Sequence, residues 1–213
     1  MCGKDRQEIR NYLRFYLILE TSMLKLPLEK FLEEVIDAGV TAIQIRDKNK
    51  SINERYDIAK TVLSTVKGHN ILTVINDRLD LALALGVKNV HLGSKDIPLK
   101  VAKEKFPEIC YGYSCNNLED LKIAEEVQAD YIGVGPAFHT NTKDDLRTLI
   151  GPEGILDLVA MTDIPAVAIG GINLNNVNVF RKTKVAGVAV SSAICASKEP
   201  KKVVREFLDI LYG

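Results

Sequence analysis

The chain has 213 residues, enough for one well-buried domain and short for two. Hydrophobic residues at 46% and charged residues at 26% form an ordinary globular mixture, which excludes a disordered or low-complexity chain. The 28 basic and 28 acidic residues cancel, which removes any general pull towards nucleic acid or an anionic membrane, so an anion must be held by a local site.

The opening stretch, residues 1–14, is polar and lacks the apolar core of a signal peptide; it reads as an N-terminal extension, expected to be a short helix covering the bottom of the fold. From residue 15 to residue 213 the chain alternates short apolar runs with longer amphipathic stretches. The runs are Phe15–Leu19, Ala42–Ile45, Leu72–Ile75, Asn89–Leu92, Ile109–Tyr113, Tyr131–Val134, Ala166–Ile169 and Gly187–Val190. Between them, Leu28, Phe31, Leu32, Val35 and Ile36 recur as one face of a helix, as do Leu118, Leu121, Ile123, Ala124 and Val127. Continuous apolar strands, each followed by a helix, imply a parallel sheet covered on its faces. Eight such units in a chain of this length predict an α/β fold, a (β/α)8 TIM barrel, over a doubly wound open sheet. AGVTAIQIR, LGVKNVHLG, QADYIGVG and VAGVAVSSA echo one another as strand entries and exits, in keeping with repeated βα units.

Cys2, Cys110, Cys115 and Cys195 include no CxxC pair. Cys110 and Cys195 sit in or beside apolar runs, where a buried reduced thiol is expected, and the inference is a reducing, cytoplasmic setting. No apolar run approaches membrane-spanning length.

In such a barrel, chemistry gathers on the loops after the C-terminal ends of the strands. The second strand exits into Gln44, Arg46, Asp47 and Lys48, the third into Asn76 and Asp77, and the fourth into His91, Gly93, Ser94 and Asp96. The fifth reaches Ser114, the sixth leads to Thr140, Asn141, Thr142 and Lys143, and the last two end at Gly170-Gly171 and Ser191-Ser192. Each cluster has an ordinary structural reading. Asn76-Asp77 and Asp96 could cap helices, Gly170-Gly171 could be a tight turn, and His91 could be a half-buried strand residue. Their coincidence on one face favours function. Asp77 and Asp96 offer hard oxygen ligands suited to Mg²⁺. Arg46, Lys48 and Lys143 offer cations for a phosphate or pyrophosphate, and the last two loops offer a backbone phosphate cradle.

The stretches QIRDK, INDRLDLA, VHLGSKD, GYSC, ADYIGVGPAFHTNTK, IPAVAIGGIN and GVAVSSAI, in that order, resemble the thiamine-phosphate synthase family over nearly the whole chain. That family couples an aminopyrimidine-methyl pyrophosphate to a thiazole phosphate and releases pyrophosphate. The resemblance implies that Asp77 and Asp96 hold Mg²⁺. It implies that Gln44, Ile45, Arg46, Asp47, Lys48, Asn76, Ser114 and Lys143 bind the pyrimidine substrate, with Arg46, Lys48, Lys143 and Ser114 closest to the chemistry. Thr140, Asn141, Thr142, Gly171, Ser191 and Ser192 would contact the thiazole phosphate. The partners implied are these small molecules, with a homo-oligomer as an open alternative to a monomer. Departures from the family pattern include Ser94 in place of Gln, Leu19-Glu20-Thr21 in place of Thr-Asp, and His139 and Asn141 where prolines are common. A thiazole tautomerase on the same barrel, or a non-catalytic thiazole-phosphate sensor, are the competing readings; neither needs Lys48, Asp77, Asp96 and Lys143 together.

Overall fold

The structure is a computed structural model that describes residues 5–139 and 148–213. Eight parallel strands close into a barrel in sequence order: β1 (Phe15–Leu19), β2 (Ala42–Ile45), β3 (Leu72–Asn76), β4 (Asn89–Leu92), β5 (Cys110–Cys115), β6 (Tyr131–Val134), β7 (Ala166–Ile169) and β8 (Gly187–Val190). Tyr16 pairs with Ala42 on one side and with Ala189 on the other, which seals the ring. The expected barrel is therefore the fold, and the open sheet is excluded.

The helices preceding the first strand and following the others are α1 (Arg6–Tyr12), α2 (Leu28–Ala38), α3 (Ile52–Thr65), α4 (Leu79–Leu85), α5 (Leu99–Lys105), α6 (Leu118–Glu126), α7 (Gly151–Ala160), α8 (Ser192–Cys195) and α9 (Pro200–Tyr212). Local sequence explains several of their ends. Ser51 and Glu54 form a reciprocal capping box at the start of α3, and Gly39 and Gly86 end α2 and α4 in the left-handed conformation. Gln128, the matching position in the third of the echoed segments, also has a positive φ, of 57°. Between β7 and β8 the crossover contains only a 3₁₀ turn, Val177–Phe180, in place of a full helix.

Two apolar layers hold the ring together. Phe15, Leu17, Ile43, Ile75 and Val90 point outward and pack under the helices. There the Phe15 and Phe207 rings lie 5.4 Å apart, joining β1 to α9. Tyr16, Ile18, Ala42, Leu72, Val74, Tyr131, Val167 and Ala189 point inward and fill the lumen. Ile9 and Leu13 join this inner cluster, so α1 and the turn after it plug the bottom of the barrel. Burying residues of this size stabilises by about 1.5–3 kcal/mol each. What remains accessible within the ring is its top.

The cysteine reading needs a correction. Cys115 and Cys195 are buried and outside any disulfide, but Cys110, at the start of β5, is disulfide-bonded. Its apolar setting predicts its burial correctly, but burial does not decide a thiol's bonding partner, so the cysteines no longer argue for a reducing compartment. Among the described residues no helix is long and apolar enough to cross a membrane.

Candidate active site

The strand ends open onto a cavity of about 320 Å³ at the top of the barrel. Alternation along β2 decides which residues of that loop reach it. Gln44, Arg46 and Lys48 face the cavity, whereas Ile45 points outward into the helix-facing core. Asp47 also turns away. Its Oδ1 accepts hydrogen bonds from the backbone N–H and hydroxyl of Thr21 at 2.8 and 3.0 Å, pinning the loop after β1. Burial pushes the Asp47 carboxyl up, against those two hydrogen bonds, and its Oδ2 is buried with no hydrogen-bond partner. The structure thus brings Gln44, Arg46 and Lys48 together with Asn76, Asp77, Asp96 and Ser114, and leaves Ile45 and Asp47 outside that group.

Asn76-Asp77 does not cap a helix. The N-cap of α4 is Arg78, without a side-chain cap bond. Asp77 instead has a φ of 61°, in the left-handed region that Asp tolerates better than most residues. This turn accompanies a carboxylate aimed at the mouth, where Lys48 Nζ lies 2.8 Å from Asp77 Oδ2. Asp96 likewise caps nothing, since α5 starts from Pro98. Its Oδ2 accepts from the Gly93 N–H at 2.7 Å and closes the loop after β4. Burial raises the Asp96 carboxyl above its ordinary range, the Gly93 hydrogen bond opposes that, and the neighbouring charge of Asp77 raises it further. Two half-buried carboxylates that repel each other beside one ammonium form a site short of positive charge. Among the described residues no group of three or more His, Cys, Asp or Glu side chains is placed to hold a metal. Two carboxylates with room for phosphate oxygens and water suit Mg²⁺ and do not suit a closed zinc site.

A second, smaller hollow of about 50 Å³ lies beside the first, between the loops after β7 and β8. Gly170 and Gly171 both have positive φ, 103° and 64°. A Cβ on Gly171 would stand 2.6 Å from the His139 carbonyl oxygen, so both conformation and space require glycine here. Ser191 and Ser192 form the opposite wall, and the Ser191 hydroxyl is buried without a hydrogen-bond partner. Within α8 the Ile194 and Cys195 N–H groups both donate to the Ser191 carbonyl oxygen, at 3.0 and 2.9 Å. Arg46 lines both hollows and pairs with Glu20, both side chains being mostly buried.

Sequence reasoning missed the floor of the cavity. Tyr16 and Tyr131 lie beneath it, and His91, whose ordinary reading is a half-buried strand residue, bonds both Tyr131 and Ser114. The one sequence signal for them is alternation: Tyr16 shares a face with Ile18, and Tyr131 with Gly133. Thr140, Asn141, Thr142 and Lys143 lie outside the described residues.

A family model described as thiamine monophosphate synthase matches residues 15–194. The chain is 39% identical over 203 residues to a thiamine-phosphate synthase of Pyrococcus furiosus, covering 95% of this chain and 97% of that one. It is also 39% identical over 203 residues to the Archaeoglobus fulgidus thiamine-phosphate synthase, covering 95% of each. A solved thiamine phosphate pyrophosphorylase from Pyrococcus furiosus has a TM-score of 0.86 at 37% identity, over 95% of this chain and 97% of that one. A 3-hexulose-6-phosphate synthase from Salmonella typhimurium, at 18% identity and a TM-score of 0.70, covers 93% of this chain and 98% of its own, and shares the fold alone.

Proposed function

The chain belongs to the thiamine monophosphate synthase family, and from that premise we propose how the barrel mouth performs the coupling. The enzyme is a transferase that joins an aminopyrimidine-methyl pyrophosphate to a thiazole phosphate, giving thiamine phosphate and pyrophosphate. The observation that carries the layout is Arg46, which lines two adjoining hollows of different chemistry. One has carboxylates, an ammonium and an aromatic floor; the other has glycine backbone and serines.

The pyrophosphate substrate occupies the larger hollow. Asp77 and Asp96 hold Mg²⁺, which when bound supplies positive charge to the pyrophosphate oxygens. Lys48 and Arg46 add fixed cations, and Lys143 adds another from its position in the family motif. The bond between the methylene carbon and the pyrophosphate oxygen breaks, and its electron pair leaves with pyrophosphate. The aminopyrimidine spreads the positive charge left on carbon. The cations stabilise the leaving charge more as it develops than before, which is what lowers the barrel's barrier to reaction. The thiazole nitrogen then donates its lone pair to the methylene carbon, forming the new C–N bond. Gly171, Ser191 and Ser192 hold the thiazole phosphate within reach, so that positioning supplies the rest. No protein nucleophile takes part. As a step of small-molecule biosynthesis, the reaction is assigned to the cytoplasm.

The test is pyrophosphate release and thiamine phosphate formation from both substrates, with and without added Mg²⁺. Magnesium-dependent coupling is expected. Thiazole-phosphate binding without coupling, under conditions where a known synthase works, overturns the assignment in favour of a tautomerase or a sensor.

A further inference from the structure

The floor of the cavity carries a continuous line of buried polar groups. Gln44 Nε2 donates to the Tyr16 hydroxyl at 3.0 Å, the Tyr16 and Tyr131 hydroxyls are 2.8 Å apart, and Tyr131 Oη lies 3.2 Å from His91 Nδ1. His91 Nε2 is 2.9 Å from Ser114 Oγ. The line is built into the barrel. A Cβ on Gly112 would stand 2.2 Å from Tyr131 Cζ and 2.5 Å from His91 Nδ1, so glycine there is what lets the two rings meet.

Burial pushes both tyrosine hydroxyls well up, so each keeps its proton and must place it. Tyr16 already accepts from Gln44, and among the described residues its other hydrogen-bond partner is Tyr131. Its proton therefore points to Tyr131. Tyr131 in turn donates to His91 Nδ1. A ring nitrogen that accepts leaves the proton on the other, so Nε2–H donates to Ser114. The Ser114 hydroxyl then accepts from beneath and turns its own proton towards the cavity it lines.

We propose that the Gln44–Tyr16–Tyr131–His91 line fixes His91 as its Nε2–H tautomer and thereby makes Ser114 a hydrogen-bond donor to the bound substrate, with Tyr131 and His91 as positioning residues. Gln44, whose amide Nε2 donates to Tyr16, lines the same cavity, and its remaining polar atom, the carbonyl oxygen, is an acceptor. Donor and acceptor together suit a ring that carries an amine beside an unprotonated ring nitrogen. This deepens the proposed function and rests on the pyrimidine lying against Ser114. A neutral hydroxyl orients the ring nitrogen without protonating it, so the ring keeps the electron density that stabilises the carbon cation. Reversed polarity would make Ser114 an acceptor and select a different ring edge.

The experiment is a long-range proton–nitrogen correlation spectrum of the ligand-free protein, which reads the tautomer of each of its three histidines. A His91→Gln variant identifies the His91 signals. The Nε2–H form is expected in the wild type, and Tyr131→Phe is expected to lose that single tautomer. The same variant should lower kcat/KM for the pyrimidine substrate by about tenfold, the worth of one fixed hydrogen bond, without moving KM for thiazole phosphate. A proton on Nδ1 in the wild type, or a Tyr131→Phe variant with unchanged tautomer and kinetics, overturns the proposal. Absence of all coupling would instead sink the proposed function, since the tautomer is read without substrate.

Discussion

Replacing Gly112 by alanine tests the packing on which the site floor depends. The new Cβ would meet Tyr131 Cζ at 2.2 Å, Tyr131 Cε1 at 2.5 Å and His91 Nδ1 at 2.5 Å, whereas ordinary contact begins at 3.4 Å. The tyrosine ring must retreat by about 1.2 Å, the difference between the first and last of those distances. It is fully buried, and Tyr16 behind it is 1% exposed, so the ring can yield only towards the cavity it floors, away from the partners that hold it. Overpacking of this kind costs about 1–3 kcal/mol. Displacing Tyr131 also loosens its bonds to Tyr16 and His91, at about 1–3 kcal/mol for buried polar groups left unpaired. Against this, alanine restricts the unfolded chain and returns about 0.4–1 kcal/mol. The expected net loss is about 3 kcal/mol, read as a lower urea midpoint at unchanged slope. Gly133→Ala is the control. Its Cβ would lie 3.2 Å from His91 Cε1, a clash that a shift of a few tenths of an ångström relieves, so its cost should stay below about 1 kcal/mol. Gly112→Ala should also lower turnover of the pyrimidine substrate. A Gly112→Ala protein within about 0.5 kcal/mol of wild type and fully active would refute the account of the floor.

Asp77→Asn should cut turnover by about a hundredfold or more while leaving stability within about 0.5 kcal/mol, because asparagine accepts the same left-handed backbone but is a poorer cation ligand. Titration of Mg²⁺ into both proteins checks it, and equal affinity would contradict the metal assignment. Asp47→Asn should keep turnover within about threefold and stability near or above wild type, since it removes a buried charge and can retain the acceptor for Thr21; severe loss of activity would place Asp47 back among the substrate ligands. The Cys195 thiol is pushed up by burial from 9.0 to about 11. At pH 8 the native protein should therefore resist alkylation at Cys195 until it unfolds, with only about one thiol in a thousand ionised. Because the folded state holds this proton more tightly, the associated stability is present below pH 9.0 and is lost as pH rises through about 11. A native thiol that alkylates as fast as the denatured one would contradict the burial.

The sequence carried the ring. Phe15–Leu19 reads as an unbroken apolar run, and Ala42–Ile45 as one broken only by Gln44, because both faces of each strand are buried, one against the lumen and one against the helices. The same property hid which residues face inward. Tyr16 and Phe15 are equally buried, and only closure of the sheet sends one to the site floor and the other to α9. The loop after β2 was half legible: its polar residues marked the mouth, but alternation divides them, taking Arg46 and Lys48 to the cavity and Asp47 to Thr21. Taken alone, Asn76-Asp77 read more readily as a helix cap than as a metal ligand, and Asp96 as a plausible helix start, because both roles use a short oxygen-bearing side chain before a helix. The left-handed turn at Asp77, and caps that fall on Arg78 and Pro98, exclude the helix-cap reading. His91, Ser114 and Tyr131 come from three neighbouring strands and become one hydrogen-bonded line, packed over Gly112, only where those strands pair side by side. Composition and spacing determine which segments bury themselves. Which side chain stands opposite which depends on the register and curvature of the closed sheet, and those arise from contacts between residues far apart in the chain.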